Sequence, residues 1–366
     1  MLPFLMMPMG FEDAIKKSAQ TTQKVIEGIH NWSQLREEEI GIGITPKEAA
    51  YQEDKIILYR FQPIAPQVLT TPVLIVYALV NRPLMVDLQV DRSLVANLLK
   101  LGLDVYLIDW GYPTRSDRWL TLDDYINGYL DNCVDFIRTQ HGLNAINLLG
   151  ICQGGTFSLC YTALNPDKVK NLIVMVTPVD FHQPQALLNM QGGCTLGAAA
   201  LDIDLLVDAA GNISGDYLNL DFLMLKPWQL GVQKYLDLLD IMDSEEKLVN
   251  FLRMEKWIFD SPDQAGEAYR QFLKDFYQAN KLIKGEIRLG DRQVNLRQIH
   301  QPVLNLYAEK DHLVTPASSL ALGQYIGTND YTVQSFPVGH VGMYVSSKVQ
   351  QKLPPAIAEW LKARHE

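Results

Sequence analysis

At residues 145–155 the chain reads Ala-Ile-Asn-Leu-Leu-Gly-Ile-Cys-Gln-Gly-Gly, an apolar run that leads into a cysteine between glycines. Gly150 and Gly154 stand two residues before and two residues after Cys152, where the absence of a Cβ lets a tight strand-to-helix turn close. Residues 156–164 continue as a helix-like segment. The pattern predicts a nucleophile elbow with Cys152 at its tip. The alternative is a buried structural cysteine in a glycine-rich turn.

Other short apolar runs have the composition of strands buried on both faces of a parallel sheet. They cover residues 73–79, 105–108, 172–176 and 303–307. Helix-like segments separate most of them, and residues 55–60 alternate like a half-buried strand. This alternation predicts the α/β class, with a doubly wound, mostly parallel sheet and right-handed crossovers. Together with the elbow it indicates an α/β-hydrolase fold.

The alternation of strand and helix stops between residues 178 and 297, where the chain becomes mostly helical. We predict a core of residues 46–177 and 298–366, a helical cap at 178–297 inserted between two core strands, and a leader helix within residues 1–45. Inserted lids often cover the site of this fold. A plain structural insertion is the alternative.

A cysteine nucleophile needs a base to take its proton and a carboxylate to hold that base in one tautomer. In this fold the acid and then the histidine follow the nucleophile, each on a loop after a strand. Asp311 follows the run at 303–307, and His340 follows a strand-like run at 331–336. The predicted triad is therefore Cys152, Asp311 and His340.

Two neighbours of Asp311 leave alternatives open. Glu309 is a second carboxylate able to orient the imidazole, although the D-H-L-V-T-P run at 311–316 favours Asp311. For His312 three alternatives are open: a polar loop residue, a cap of the next helix, or a side chain that lines the site.

Acyl transfer also needs N–H donors for the developing oxyanion. The backbone N–H of Gln153 is one predicted donor, because this residue directly follows the nucleophile. The second is expected from the loop after the first core strand, where Val80 is the candidate. Arg82 in the same loop either meets a substrate phosphate or pairs with a structural carboxylate.

Charge and cysteine content exclude several function classes for this 366-residue chain. A net charge of −10 and a pI near 5.2 argue against nucleic acid as a partner, and a coenzyme A thioester would need a local basic patch. The spacing of the four cysteines predicts neither a zinc site nor a disulfide framework; they are Cys133, Cys152, Cys160 and Cys194. We expect no metal, and a reducing, cytoplasmic compartment.

The first ten residues are apolar but lack a basic segment and a small-residue cleavage site, so they do not predict a signal peptide. No stretch of the sequence reaches the roughly 18 apolar residues that a membrane span needs. The apolar tip either contacts a hydrophobic surface or is buried in a groove of the protein itself.

Cysteine in place of serine points to one kind of chemistry. A cysteine acyl-enzyme is a thioester, so it keeps most of the free energy of a thioester substrate, whereas a serine acyl-enzyme is an oxygen ester. Acyl exchange onto Cys152 is then nearly isoenergetic, and later attack by an alcohol is downhill. This indicates acyl transfer from a thioester to a hydroxyl, with hydrolysis through the same cysteine as the alternative.

Several longer motifs resemble one enzyme family. They are G-I-C-Q-G-G at 150–155, Y-A-L-V-N-R-P at 77–83, L-I-D-W-G-Y-P at 107–113, T-L-D-D-Y-I-N-G-Y at 121–129, N-F-L-R-M-E-K-W-I-F-D-S-P-D-Q-A-G-E at 250–267 and D-H-L-V at 311–314. Over about residues 46–360 the chain is similar to polyhydroxyalkanoate synthases. The likeness is to the short catalytic subunit of the two-component class III type, which lacks the long N-terminal domain of single-component synthases.

The resemblance implies polymerisation of (R)-3-hydroxyacyl-CoA, chiefly 3-hydroxybutyryl-CoA, into polyester with release of CoA and without a cofactor. By matching motif, Cys152 is the covalent nucleophile, His340 the general base and Asp311 its partner. In this family the aspartate is also discussed as activating the 3-hydroxyl of the elongating unit. The resemblance further implies a growing polyester chain, cytoplasmic storage granules, a small non-catalytic synthase subunit and a homodimer formed through the cap.

Two other function classes compete with the synthase. A thioesterase or polyester hydrolase of the same fold would release free hydroxy acid. A non-catalytic granule or scaffold protein would lack a member of the triad, and all three residues are present in this sequence.

Overall fold

A central sheet of eight strands organises the computed structural model, which describes residues 40–183, 202–225 and 233–365 and the single positions 30 and 35. In chain order the strands are β1 Lys47–Glu53, β2 Ile56–Phe61, β3 Val73–Val76, β4 Val105–Asp109, β5 Ile146–Ile151, β6 Val169–Met175, β7 Val303–Ala308 and β8 Tyr331–Phe336. Across the sheet their order is β1-β2-β4-β3-β5-β6-β7-β8. β2 is antiparallel to β1 and β4, whereas the pairs from β4 to β8 are parallel.

The α-helices connect these strands. In the described ranges they are α1 Leu94–Lys100, α2 Asp131–His141, α3 Gln153–Leu164, α4 Ile203–Ala210, α5 Gly215–Leu225, α6 Lys234–Ile241, α7 Glu245–Phe259, α8 Gly266–Gln271, α9 Lys281–Lys284, α10 Pro316–Leu320, α11 Leu322–Tyr325, α12 Gly342–Val345, α13 Ser347–Gln350 and α14 Leu353–Lys362. Two π-helical segments join them, Asp124–Leu130 before α2 and Phe272–Gln278 after α8. Short antiparallel hairpins pair Asp87–Gln89 with Arg92–Ser93 and Arg288–Leu289 with Arg292–Gln293.

The middle of the sheet is buried because apolar side chains cover both faces of its strands. Every residue of β3 and β5 is buried, whereas β1 at the edge of the sheet has half-buried and exposed residues. Parallel strands covered on both faces read as continuous apolar runs, which explains why the sequence pattern finds them.

The doubly wound, mostly parallel sheet predicted from the sequence is confirmed. β8 has the predicted bounds. The bounds of the other predicted strands differ from the observed ones by one to three residues at one or both ends. β1 is not predicted by the pattern, because its sequence Lys-Glu-Ala-Ala-Tyr-Gln-Glu is poor in strand-forming residues. Antiparallel pairing with β2 makes it a strand.

Contacts divide the chain into two compact units. One consists of Ile42–Asn219 with Phe259–Glu366 and contains the sheet, and the other consists of Met1–Gly41 with Leu220–Ile258. In the second unit the Lys234 ammonium donates to both carboxylate oxygens of Glu255, at 2.8 and 3.0 Å. The leader helix predicted within residues 1–45 lies almost entirely outside the described residues. The division between a core and a cap at 178–297 stays a prediction.

Helix α3 lies inside the sheet-containing unit, since all of its residues except the last are buried. Its sequence contains no charged residue, and apart from Gln153 its residues are small, apolar or hydroxyl-bearing, as expected for a helix with no solvent-facing stripe. Close packing at its first turn depends on glycine. A Cβ on Gly155 would lie 1.9 Å from Thr177 Oγ1 and 2.8 Å from Thr177 Cβ.

Gly155→Ala is therefore expected to lower the free energy of unfolding by about 2–3 kcal/mol, because buried Thr177 has no room to retreat. Gly128→Ala is the matched control. Gly128 lies in the π-helical segment Asp124–Leu130, and a Cβ there meets no atom within 4 Å, so alanine should be neutral or stabilise by about 0.5–1 kcal/mol. Urea unfolding of both variants measures the difference, and equal midpoints would contradict the packing argument.

Candidate active site

The three predicted catalytic residues follow strands that end at the same edge of the sheet. Cys152 follows β5, Asp311 follows β7 and His340 follows β8. β3 lies between β4 and β5, so the direction of strand addition reverses beside β5. Ligand crevices of doubly wound sheets form outside the carboxyl ends of strands at such a reversal. The topology therefore marks this edge as the candidate site.

Cys152 occupies a sharp turn between β5 and α3, with φ 54° and ψ −123°. Its N–H donates to the Met175 carbonyl oxygen at 2.9 Å, and its own carbonyl oxygen accepts from the Gly155 N–H at 2.9 Å. These bonds hold a cysteine in a left-handed conformation that costs about 1–3 kcal/mol. The side chain is half-buried. The turn has the strand–cysteine–helix geometry expected of a nucleophile elbow.

Backbone strain concentrates around this turn. Among the described residues, five other than glycine have a positive φ, and three of them follow the carboxyl ends of neighbouring strands: Asn81 at 59°, Cys152 at 54° and Val176 at 45°. Valine is branched at Cβ, so its left-handed backbone is the most unfavourable of the three. Such strain persists where surrounding contacts enforce it, often at functional sites.

Asp311 holds His340 from one side. Asp311 Oδ2 accepts a hydrogen bond from His340 Nδ1 at 2.7 Å, and Oδ1 accepts from the N–H groups of Leu313 and Val314, each at 2.9 Å. The Asp311 side chain is fully buried. Glu309, the alternative carboxylate, is exposed and accepts instead from the Ser335 hydroxyl at 2.7 Å. Asp311 is therefore the carboxylate that orients His340.

The Cys152 sulfur is close enough to His340 to influence the protonation of the imidazole. Burial disfavours the charged imidazole, but the negative charges of Asp311 and Cys152 and the hydrogen bond to Asp311 outweigh it. They raise the pKa of His340 to about 10. The imidazole thus has a carboxylate on Nδ1 and the cysteine sulfur as its other partner, which is the arrangement of a general base between an acid and a nucleophile.

Because the pKa of His340 is raised in the folded state, its bound proton stabilises the fold, and loss of that proton at higher pH removes the stabilisation. The contribution of His340 should be complete below pH 6.5, its ordinary pKa, and should vanish as the pH rises through about 10. We expect the difference in unfolding free energy between wild type and His340→Gln to shrink by about 1 kcal/mol per pH unit from pH 7 to 9. Urea unfolding at both pH values measures it, and a constant difference would contradict the raised pKa.

The loop after β3 carries the predicted second oxyanion donor, Val80, whose side chain is half-exposed. The neighbouring Leu79 N–H donates to Gln153 Oε1 at 3.0 Å. Sequence reasoning assigned Gln153 only a backbone role and missed this side-chain contact. The only sequence signal for it is an amide side chain at the start of a helix whose other residues are small, apolar or hydroxyl-bearing.

Arg82, at the end of the same loop, pairs with a carboxylate. Its Nη2 binds Asp109 Oδ2, and its guanidinium lies 4.5 Å from the centre of the Tyr112 ring. Asp109 is buried and also accepts from the Gly111 N–H at 3.1 Å. Of the two alternatives for Arg82, the structure thus shows the structural carboxylate.

Comparison with curated relatives decides the family. A poly(3-hydroxyalkanoate) polymerase subunit PhaC from a Synechocystis species is 70% identical over 365 residues, which cover 100% of this chain and 96% of that protein. The chain belongs to the poly(3-hydroxyalkanoate) polymerase family. Another member of this family, the polymerase subunit PhaC of Allochromatium vinosum, is 54% identical over 345 residues, or 94% of this chain and 95% of that protein. The family expected from the motifs is confirmed.

The wider fold assignment is confirmed as well. Residues 71–347 match the family model of the alpha/beta hydrolase fold. A solved structure of a putative lipase from Sulfolobus solfataricus superposes with a TM-score of 0.54 at 14% identity, covering 86% of this chain and 92% of that chain. At this identity the likeness concerns the fold alone, and the chemistry of this polymerase-family chain depends on its own residues.

The other candidate residues are exposed, fully buried or outside the described residues. His312 is exposed on its loop. Cys133 and Cys160 are fully buried, and burial raises the pKa of each thiol to about 12. Cys194 and the apolar first ten residues lie outside the described residues. Cys152 is therefore the half-exposed thiol among the described cysteines.

Buried tyrosines, which sequence reasoning missed, surround the elbow. The Tyr344 ring lies 6.2 Å from that of His340 and 6.3 Å from that of Tyr77. Burial, and then the negative charge at Cys152, raise the pKa of Tyr77. The same two causes act on the pKa of Tyr277, in the π-helical segment after α8. These phenols stay neutral and leave His340 as the titratable base beside the sulfur.

The described residues lack features of two other classes of site. None of their helices has the length and apolar character to cross a membrane. Nowhere in the described ranges do three or more His, Cys, Asp or Glu residues group as metal ligands would.

Proposed function

We propose that this chain polymerises (R)-3-hydroxyacyl-CoA, chiefly 3-hydroxybutyryl-CoA, into a polyhydroxyalkanoate polyester and releases CoA. Membership of the poly(3-hydroxyalkanoate) polymerase family supports the polymerisation. The observation that carries the mechanism is the hydrogen bond between Asp311 and His340, together with a Cys152 sulfur close enough to affect the pKa of the imidazole. Thiol, imidazole and carboxylate supply the nucleophile, base and orienting group that acyl transfer needs, so the proposal includes no metal or prosthetic group.

In the acylation step the Cys152 sulfur attacks the thioester carbonyl of the substrate. His340 Nε2 holds the proton that comes from the thiol, as its raised pKa favours, and delivers it to the departing CoA sulfur, so one carbon–sulfur bond forms as another breaks. The hydrogen bond from Nδ1 to Asp311 fixes the ring so that Nε2 serves the sulfur. The backbone N–H groups of Gln153 and Val80 stabilise the oxyanion of the tetrahedral intermediate.

In the elongation step the hydroxyl of a 3-hydroxyacyl unit attacks the thioester on Cys152. His340 takes the hydroxyl proton and returns it to the cysteine sulfur as the carbon–sulfur bond breaks. The new bond is an oxygen ester, which lies below a thioester in free energy, so growth of the chain is downhill. Because the Asp311 side chain is fully buried and both of its oxygens accept hydrogen bonds, we assign activation of the hydroxyl to His340.

The proposal includes partners. They are the growing polyester and the surface of a cytoplasmic storage granule, a small non-catalytic synthase subunit, and a second copy of this chain joined through the cap. The net charge of −10 supports leaving nucleic acid out of this set.

The test is to incubate the purified chain with 3-hydroxybutyryl-CoA, with and without the small subunit, and to follow free CoA and insoluble polyester together. CoA release matched by polymer, and faster with the added subunit, is the expected result. CoA release with only free hydroxy acid would make the chain a thioesterase. The absence of CoA release in both conditions would rule out 3-hydroxybutyryl-CoA as the substrate.

A further inference from the structure

A buried hydrogen bond joins the elbow to the loop after β3. The Leu79 N–H donates to Gln153 Oε1 at 3.0 Å, across a sequence separation of 74 residues. Gln153 is 5% exposed and Leu79 is 7% exposed. Because breaking this bond would leave a buried polar group without a partner, the two segments keep a defined separation.

Further contacts hold the same loop. Trp110 Nε1 donates to the Tyr77 carbonyl oxygen at 2.9 Å. On the elbow side, Gly154 permits close approach, since a Cβ there would lie 2.2 Å from the Val76 carbonyl oxygen. The backbone from Val76 to Leu79 is therefore fixed against Trp110 on one side and the start of α3 on the other.

The bond to Gln153 limits which N–H groups remain for an oxyanion. The Leu79 N–H is already engaged. The Gln153 N–H lies in the first turn of α3, where it has no partner within the helix. In the turns and loops of the described residues, no backbone carbonyl accepts from the Val80 N–H. Gln153 and Val80 thus remain as the donor pair.

We infer that the Gln153 side chain is a positioning residue, which holds Leu79 so that the next N–H, that of Val80, faces the Gln153 N–H across the oxyanion. One residue then supplies one donor through its backbone and places the other through its side chain. This inference rests on the proposed acyl transfer at Cys152. Fixed donors matter because transition-state stabilisation depends on their placement before charge develops.

The test compares two reactions of Cys152 in Gln153→Met, which keeps side-chain length and removes the acceptor. Acylation by 3-hydroxybutyryl-CoA or by p-nitrophenyl butyrate passes through an oxyanion, whereas alkylation by iodoacetamide does not. We expect acylation by both donors to slow about 10- to 100-fold with little change in KM, and alkylation to keep the wild-type rate. Ser158→Ala is the control, since it removes a buried hydrogen bond to the Gly154 carbonyl oxygen in the same helix and should leave the ratio of the two rates unchanged.

Equal slowing of acylation and alkylation, or no slowing of either, would overturn the inference, because a merely structural role affects both reactions alike. Gln153→Leu, which also lacks an acceptor, replaces the methionine variant if that variant fails to fold. Failure of the proposed function can be distinguished from failure of the inference about Gln153. If wild type reacts with p-nitrophenyl butyrate but not with the CoA thioester, the assigned substrate is wrong. Acylation by p-nitrophenyl butyrate, compared between wild type and the Gln153 variant, then still tests the role of Gln153.

Discussion

Replacing Cys152 with alanine is expected to lower acylation and polymerisation by about 10⁶-fold, to background. The substitution removes the sulfur that would carry the acyl group and leaves a Cβ in the same turn, so the elbow keeps its geometry. The Cys152 side chain is half-buried, and little core volume is lost. The measurement is CoA release in a single turnover, together with thermal unfolding to show that the fold persists.

The matched control is Cys160→Ala, the same substitution two turns along α3. The Cys160 side chain is fully buried, and burial raises the pKa of its thiol to about 12, so it supplies no nucleophile near neutral pH. We expect this variant to keep wild-type turnover with a small loss of stability. Turnover in Cys152→Ala above a hundredth of wild type would rule out a covalent mechanism through Cys152.

His340→Gln is expected to slow acylation by about 10²–10⁴-fold, the usual contribution of a positioned general base. Glutamine is similar in size and still offers an N–H to Asp311, but it takes no proton from the cysteine. The loss should fall on kcat more than on KM, because proton transfer belongs to the transition state. Rapid-mixing measurement of CoA release separates acylation from later steps.

His312→Gln is the matched control, since His312 lies next to Asp311 in sequence and is exposed. It should retain the wild-type rate. A near-normal acylation rate in His340→Gln would place the base elsewhere. A loss in both variants would mean that the loop, rather than His340, is responsible.

Most of the candidate site was predictable because its signals are local. The glycines around Cys152 mark a turn that larger residues do not allow, and His340 follows a strand with the predicted bounds. β1 was not predictable in the same way. Its sequence is poor in strand formers, and its pairing with β2 comes from an edge position that no local pattern encodes.

The sequence alone is sufficient for the fold class, the family and the positions of Cys152, Asp311 and His340, because apolar periodicity and short motifs encode them within a few residues. Three contacts depend on the folded chain: His340 with Asp311 rather than Glu309, Arg82 with Asp109, and Leu79 with Gln153. Each joins residues that are far apart in sequence. The register of parallel strands brings them together, and burial selects among competing polar groups, so these partners follow from tertiary packing.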